Sequence, residues 1–122
     1  MATIKSYTDL EQSKKLSKIL PLESADMYYE WPNKKVHFKD DGYSGMCFSC
    51  WSLAALISII PQEIFDGEYV INITEGSSNK WILTYDAYEN ENPSYYGLST
   101  GADNLVDACT DIIIKLKERN FI

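Results

Sequence analysis

The stretch CFSC, from Cys47 to Cys50, places two thiols three residues apart. Such a pair supports disulfide exchange when the first cysteine lies at a helix N-terminus directly after a strand, because the helix dipole then lowers its pKa. Here a glycine-containing loop precedes Cys47, and Asp40 and Asp41 lie nearby, where negative charge raises the pKa of a thiol. A small thiol-dependent redox enzyme using Cys47 and Cys50 is therefore an alternative function and not the leading one.

A structural zinc site would need four ligands, and the further candidates are Cys109 and the single histidine, His37. Alternation of apolar residues around His37 turns its side chain away from the buried face, whereas Cys109 belongs to the buried stripe of a helix. We therefore expect no metal and no other cofactor. We interpret Cys47, Cys50 and Cys109 as small buried hydrophobic residues, which is how free cysteines usually behave.

The pentapeptide GLSTG, from Gly97 to Gly101, fits the Gly-x-Ser-x-Gly nucleophile elbow of α/β-hydrolases. That elbow requires a strand directly before it, yet NPSYY precedes it and Pro93 argues against a central strand. Histidine follows serine in that fold, whereas His37 lies upstream of Ser99. The carboxylates of DAYENEN lie in a polar stretch, where nothing would desolvate one of them for acid–base work. We therefore predict that the protein is not an enzyme.

Capping and turn signals predict the elements that would position these residues in the first half of the chain. Thr8 and Glu11 form a capping box at the start of a helix that Pro21 ends. The segments DMYYEW and KKVHFKD flank the turn signal PN and predict a hairpin. A second helix, from about Ser49 to Ile60, is apolar on nearly every side, so we expect it to be the central buried element. One face of the hairpin is predicted to carry Tyr29, Trp31, Val36 and Phe38.

The second half of the chain predicts another hairpin and a third helix. EYVINITEG and KWILTYDAY flank SSN, and alternation gives each strand an apolar face, formed by Tyr69, Ile71 and Ile73 and by Trp81, Leu83 and Tyr85. Asn104 is a good N-cap, Asn120 can take a left-handed conformation, and Phe121 can fold back onto the helix. The order α-β-β-α-β-β-α predicts an α+β fold. We expect a two-layer sandwich in which helices cover one face of an antiparallel sheet of about four strands.

Length and charge narrow the classes of protein to consider. A chain of 122 residues is expected to form one domain, residues 1–122. It carries 11 Lys and Arg against 18 Asp and Glu, a net charge of −7, which disfavours nucleic acid and anionic membranes as partners. The uncharged run from Met46 to Ile60 is too short to cross a membrane, and no secretory signal opens the sequence. With three cysteines, an odd number, these features predict a cytoplasmic protein with reduced thiols.

The third helix carries a wider apolar arc than a single packing face needs, since Ile114 lies about 180° from Leu105 on a helical wheel. Another chain could cover the excess, or loops and the second hairpin could cover it. Tyrosines in or beside the loop before this helix are of a type that often anchors interfaces. The partner-binding residues predicted on this basis are Tyr88, Tyr95, Tyr96, Ile114 and Phe121.

Three segments of the sequence together carry a resemblance to known proteins: YTDLEQSKKLSKILPLESADMYY, CWSLAALISIIP and DNLVDACTDIIIKLKERN. They resemble a family of short uncharacterised proteins from gut anaerobic bacteria, often encoded in prophage or mobile-element regions. The resemblance covers most of the chain and is weakest from Trp31 to Met46. It implies a small soluble intracellular protein of mobile-genetic origin, and it offers no catalytic residues to transfer.

The leading functional hypothesis is a non-enzymatic protein-interaction or accessory module that binds an unidentified protein or a second copy of itself. It is based on the negative charge, the apolar arc of the third helix and the lack of a coherent catalytic set. The competing hypothesis, the thiol enzyme, predicts a cysteine whose reactivity follows a pKa well below the ordinary value of about 8.5.

Overall fold

The computed structural model describes residues 5–39, 47–65, 67–76, 80–87 and 98–122. Within these residues the strands form two antiparallel sheets, of order β2-β1-β3 and β4-β5-β6-β7, and three helices pack with them. The predicted α+β sandwich is thus confirmed. The elements, in chain order, are α1 (Leu10–Ser17), a short 3-10 helix (Leu22–Ser24), β1 (Met27–Glu30), β2 (Val36–Phe38), β3 (Cys47–Cys50), α2 (Leu53–Ile59), β4 (Glu63–Ile64), β5 (Tyr69–Glu75), β6 (Trp81–Ala87), β7 (Ser99–Ala102) and α3 (Leu105–Glu118).

The predicted order of elements is wrong in the middle of the chain. The stretch from Cys47 to Cys50 is a strand paired with β1, and α2 begins only at Leu53, with Ser52 as its N-cap. An uncharged apolar run fits a buried strand as well as a buried helix, so its periodicity could not place this boundary. Because β1 lies between β2 and β3, the first hairpin joins a sheet of its own, and the expected single sheet is in fact two.

Two further strands were not predicted. The pair Glu63–Ile64 forms β4 at one edge of the four-stranded sheet, and Ser99–Ala102, within and beyond the GLSTG pentapeptide, forms β7 at the other edge. Both are short, and their residues carry turn signals, so only pairing with the long hairpin makes them strands.

Helix α1 begins one residue later than the capping box predicted. Asp9 is the N-cap: its carboxylate accepts the Gln12 N–H at 2.8 Å, and the Gln12 side chain accepts the Asp9 N–H at 3.0 Å. Thr8 is instead fully buried, where its hydroxyl lies 2.7 Å from that of Ser13 and accepts the Trp51 N–H at 3.2 Å. The polar groups of Thr8 therefore join α1 to the strand-to-helix connection before α2.

The ends of α3 confirm the predicted caps. The Asn104 side chain accepts the Asp107 N–H at 2.8 Å. At the other end Asn120 has a φ of 62°, and the Phe121 N–H donates to the Leu116 carbonyl at 2.9 Å. The Asn120 N–H bonds to the Lys117 carbonyl as well, which completes a Schellman motif and folds Phe121 back onto the helix.

The main core lies between the four-stranded sheet and α2 and α3. The register of β5 and β6 pairs Ile71 with Tyr85 and Ile73 with Leu83, which confirms the predicted inner face of this hairpin. α3 packs on β6 and β7, and α2 packs on α3. Most of the apolar arc of α3 is buried by these contacts within the chain, at Val106, Ala108, Cys109, Ile112, Ile113 and Leu116. α1 packs on β3 in the other sheet.

Within the described residues, no helix combines the length and the apolar character that crossing a bilayer requires. The longest helix there, α3, has 14 residues and contains charged residues along its length. A bilayer span needs about 20 predominantly apolar residues.

Candidate functional site

Of the five residues predicted to bind a partner, two lie within the described residues. Tyr88, Tyr95 and Tyr96 lie outside the described residues. Ile114 and Phe121 are partly buried and pack against the main core. At the edge of this core the Phe121 ring meets the exposed Phe65 ring edge-on at 5.2 Å. A role of these five residues in partner binding remains a prediction.

The three cysteines lie in different environments. Cys50 and Cys109 are fully buried, in separate apolar clusters, as predicted. Cys47 is exposed, so its predicted burial is wrong. Residues three apart on a strand point to opposite faces, so the burial of Cys50 turns Cys47 outward.

Disulfide exchange between Cys47 and Cys50 is opposed by the geometry of β3. Cα atoms three residues apart in a strand are separated by about 10 Å. A disulfide requires a Cα separation below about 7 Å. Strand β3 would therefore have to come apart before these two thiols could pair.

Burial also shifts the acid–base behaviour of the inner thiols. It raises the pKa of Cys109 to about 12 and raises that of Cys50, whose thiol donates to the Thr8 carbonyl at 3.4 Å. Both therefore stay protonated at neutral pH, whereas a nucleophile needs the thiolate. No cluster of three His, Cys, Asp or Glu side chains in the described parts of the chain could hold a metal ion. His37 stacks on Tyr28 and lies 3.1 Å from the Glu30 carboxylate.

We expect one fast and two slow thiols when the native protein reacts with a chromogenic disulfide reagent. Cys47 is exposed and reacts directly. Cys50 and Cys109 react only after local opening of the core, which lowers their reaction rates at least about a hundredfold. In denaturant all three should react together. Cys47→Ser should remove the fast phase and leave the slow one. A fast phase that persists in Cys47→Ser would mean that a core thiol is accessible and would revive the thiol enzyme.

A groove of about 780 Å³ with a mainly apolar lining lies between α2 and β5. Its walls are the last turn of α2, the segment from Pro61 to Glu63, and the first half of β5. Ile57 on α2 and Ile73 on β5 are 42% and 38% exposed, and both line it. Ile59 and Ile71 add partly buried apolar surface. We call this feature the α2–β5 groove.

The groove forms because the chain leaves the sheet at Pro61. β4 pairs with only Tyr69 and Val70, and the Ile71 N–H donates to the Gln62 carbonyl at 2.9 Å. Pro61, directly before Gln62, has no N–H with which to continue the ladder. On the N-terminal side of Pro61 the chain belongs to α2, which leaves the line of β4. The fully buried Tyr85 donates its hydroxyl to the Pro61 carbonyl at 2.6 Å and so holds this corner against the inner face of the sheet.

The register of β5 directs some of its backbone N–H and C=O groups past the end of β4. Alternate residues of an antiparallel strand bond to opposite neighbours. The Gly76 N–H bonds to Lys80 on the β6 side, whereas the Ile71 N–H bonds on the β4 side. Ile73 and Glu75 share the parity of Ile71, so their N–H and C=O groups face past the end of β4. Among the described residues no strand lies beside this part of β5.

Two carboxylates flank the apolar part of the groove. Glu63 lines the β4 end, and Glu75 ends β5 beyond Ile73. Both are exposed, and neither takes part in any ion pair formed within the described residues. The groove therefore combines an apolar centre, a backbone edge with no strand beside it among the described residues, and negative charge at both ends.

Sequence reasoning missed this groove because it expected α2 to be buried on nearly every side. Ala55 and Leu56 are buried, but Ile57 and Ser58 are exposed. The available signal was Pro61 directly before the polar pair Gln62 and Glu63, which marks a point where the chain changes direction. Nothing in the local sequence places that point beside β5.

Comparison with known proteins gives no match. No protein-family model, no curated protein and no solved structure is similar to this chain. Its function is therefore inferred from its own geometry, in which the α2–β5 groove is a large apolar recess formed by described residues.

Proposed function

We propose that the protein is a non-enzymatic protein-interaction module and that it binds its partner in the α2–β5 groove. The observation that carries this proposal is that exposed Ile57 and Ile73 lie beside a stretch of β5 edge that no strand of the described chain pairs with. Burying apolar surface lowers the free energy by about 25 cal/mol for each Å² removed from water. An open edge invites pairing with another chain. A partner in the groove would relieve both.

The chemistry of the lining supports binding over catalysis. Among the described lining residues Glu63 is the one ionisable side chain, and there is no histidine, cysteine or lysine beside it. Acid–base and nucleophilic mechanisms need at least two cooperating groups. The net charge of −7 supports a protein partner over nucleic acid or an anionic membrane. From the sequence resemblance alone we further propose an accessory role in the cytoplasm.

Site-specific photo-crosslinking tests the proposal. A benzophenone amino acid replaces Ile73, which lines the groove, or Ser99, which is exposed on β7 at the opposite edge of the same sheet. In lysate of the native host we expect a discrete crosslinked protein from position 73 and none from position 99. Equal products from both positions, or none from either, would contradict docking in the groove.

A further inference from the structure

The backbone of the α2–β5 groove indicates how a partner binds, and this inference rests on the proposed function. We propose that the partner contributes an extended segment that adds to the sheet as a strand beside Ile73–Glu75, in line with β4. The segment alternates apolar and polar residues and carries Lys or Arg toward each end. This mode of binding is strand addition, in which backbone hydrogen bonds supply affinity and side-chain pockets supply selectivity.

The backbone groups of Ile73 and Glu75 that no described strand pairs with favour an extended segment. The outward N–H and C=O groups of Ile73 lie in line with the Ile71–Gln62 hydrogen bond, so a strand placed there continues the ladder that β4 begins. Neighbouring strands lie about 4.8 Å apart. Because the chain leaves this line at Pro61 for α2, the groove supplies the space that such a strand needs. A bound helix would leave these backbone groups unpaired.

The side chains of the groove set the pattern of the segment. Directly opposite residues of paired strands point to the same face of a sheet. The residue opposite Ile73 would therefore point to the inner face, into the apolar space between Ile73 and Ile57. Its two neighbours would point to the outer face, beside exposed Asn72 and Thr74. An apolar residue between polar ones follows, with β-branched and aromatic types favoured.

Charge selects a basic segment over a second copy of this chain. Glu75 on β5 lies opposite one end of the added strand, where a cation gains a favourable cross-strand pair, and Glu63 on β4 lies beyond its other end, where its negative charge also favours a cation. Two copies pairing edge to edge would instead bring the carboxylates of both chains together, each chain carrying a net charge of −7. Like charges at an edge are a usual defence against self-association.

Selection from a library of random linear decapeptides displayed on phage tests this proposal with defined probes. We expect enriched peptides to carry an apolar residue flanked by Lys or Arg, without central proline. Ile73→Lys should weaken their binding at least about tenfold, and Ser99→Lys, which adds a lysine at an exposed position of β7 on the opposite edge of the sheet, should leave it within about twofold. Ile57→Lys on the facing wall is a second variant that leaves β5 intact, so a folding defect in Ile73→Lys does not decide the result.

Backbone methylation of the enriched peptides separates strand addition from other modes. Methyl groups on the alternate amides that face β5 should abolish binding, whereas methyl groups on the intervening amides should not. Binding that is lost in Ile73→Lys yet insensitive to methylation would overturn strand addition and leave the proposed function intact. No enriched peptide would overturn this inference. A dimer in light scattering that Ile73→Lys dissociates would overturn it in favour of a second copy.

Discussion

Leu83→Ala is expected to lower the free energy of unfolding by about 3–5 kcal/mol, the upper range for buried leucines. Leu83 is fully buried on the inner face of β6, the strand that lies between β5 and β7. Its cross-strand partners are Ile73 and Thr100, and α3 packs over this part of the sheet. Neighbours held by two ladders cannot collapse into the space, so the cavity remains. A domain of this size has about 5–15 kcal/mol of stability, so most of it could be lost.

Urea denaturation followed by circular dichroism measures this effect, with Ile82→Ala as the matched control. Ile82 directly precedes Leu83 in β6, points to the outer face and is only partly buried. We expect Ile82→Ala to cost about 1 kcal/mol. Equal losses in the two variants would contradict the assignment of the inner face.

Above pH 9 the protein is expected to lose stability through Cys109. Burial raises the pKa of Cys109 from its ordinary 9.0 to about 12, so the folded chain keeps a proton that the unfolded chain releases. The stabilisation is complete below pH 9 and is lost as the pH rises to 12. A difference of this size is worth roughly 4 kcal/mol. Tyr85 acts in the same direction between pH 10 and 12, because burial raises its pKa to about 12.

Cys109→Ala separates the thiol from the other groups, since it removes the titration and little volume. The free energy of unfolding measured from pH 7 to pH 11 should fall less steeply in Cys109→Ala than in the parent chain. Tyr85→Phe should remove only the part of the loss above pH 10. An unchanged slope in Cys109→Ala would mean that Cys109 titrates normally and is not sealed in the core.

The parts of the fold that local chemistry determines could be predicted from the sequence. Asn104 and Asn120 act through bonds to residues a few positions away, so the ends of α3 were within reach of the sequence. Alternation over seven residues in β5 and in β6 was long enough to identify the inner face of their hairpin. Both signals are complete within a short window of the chain.

The remaining features depend on contacts between distant segments. The stretch around Cys50 is a strand because it pairs with β1, and its own residues fit a helix equally well. The same pairing exposes Cys47, which composition alone would have buried. The α2–β5 groove depends on where Pro61 sends the chain and on the hydroxyl of Tyr85, which lies 24 residues away. No pattern in either local sequence encodes that contact.

The proposed docking site requires that the edge of β5 from Ile73 to Glu75 is free to pair with a partner strand. Native-state amide hydrogen exchange, resolved by residue with NMR, tests it most directly because the alternate amides of one strand report on its two sides. Asn72 and Thr74 face β6 and should be protected, whereas the Ile73 and Glu75 amides should exchange at least about tenfold faster. Protection of Ile73 and Glu75 equal to that of Thr74 would mean that this edge is already paired, and it would contradict a free docking site.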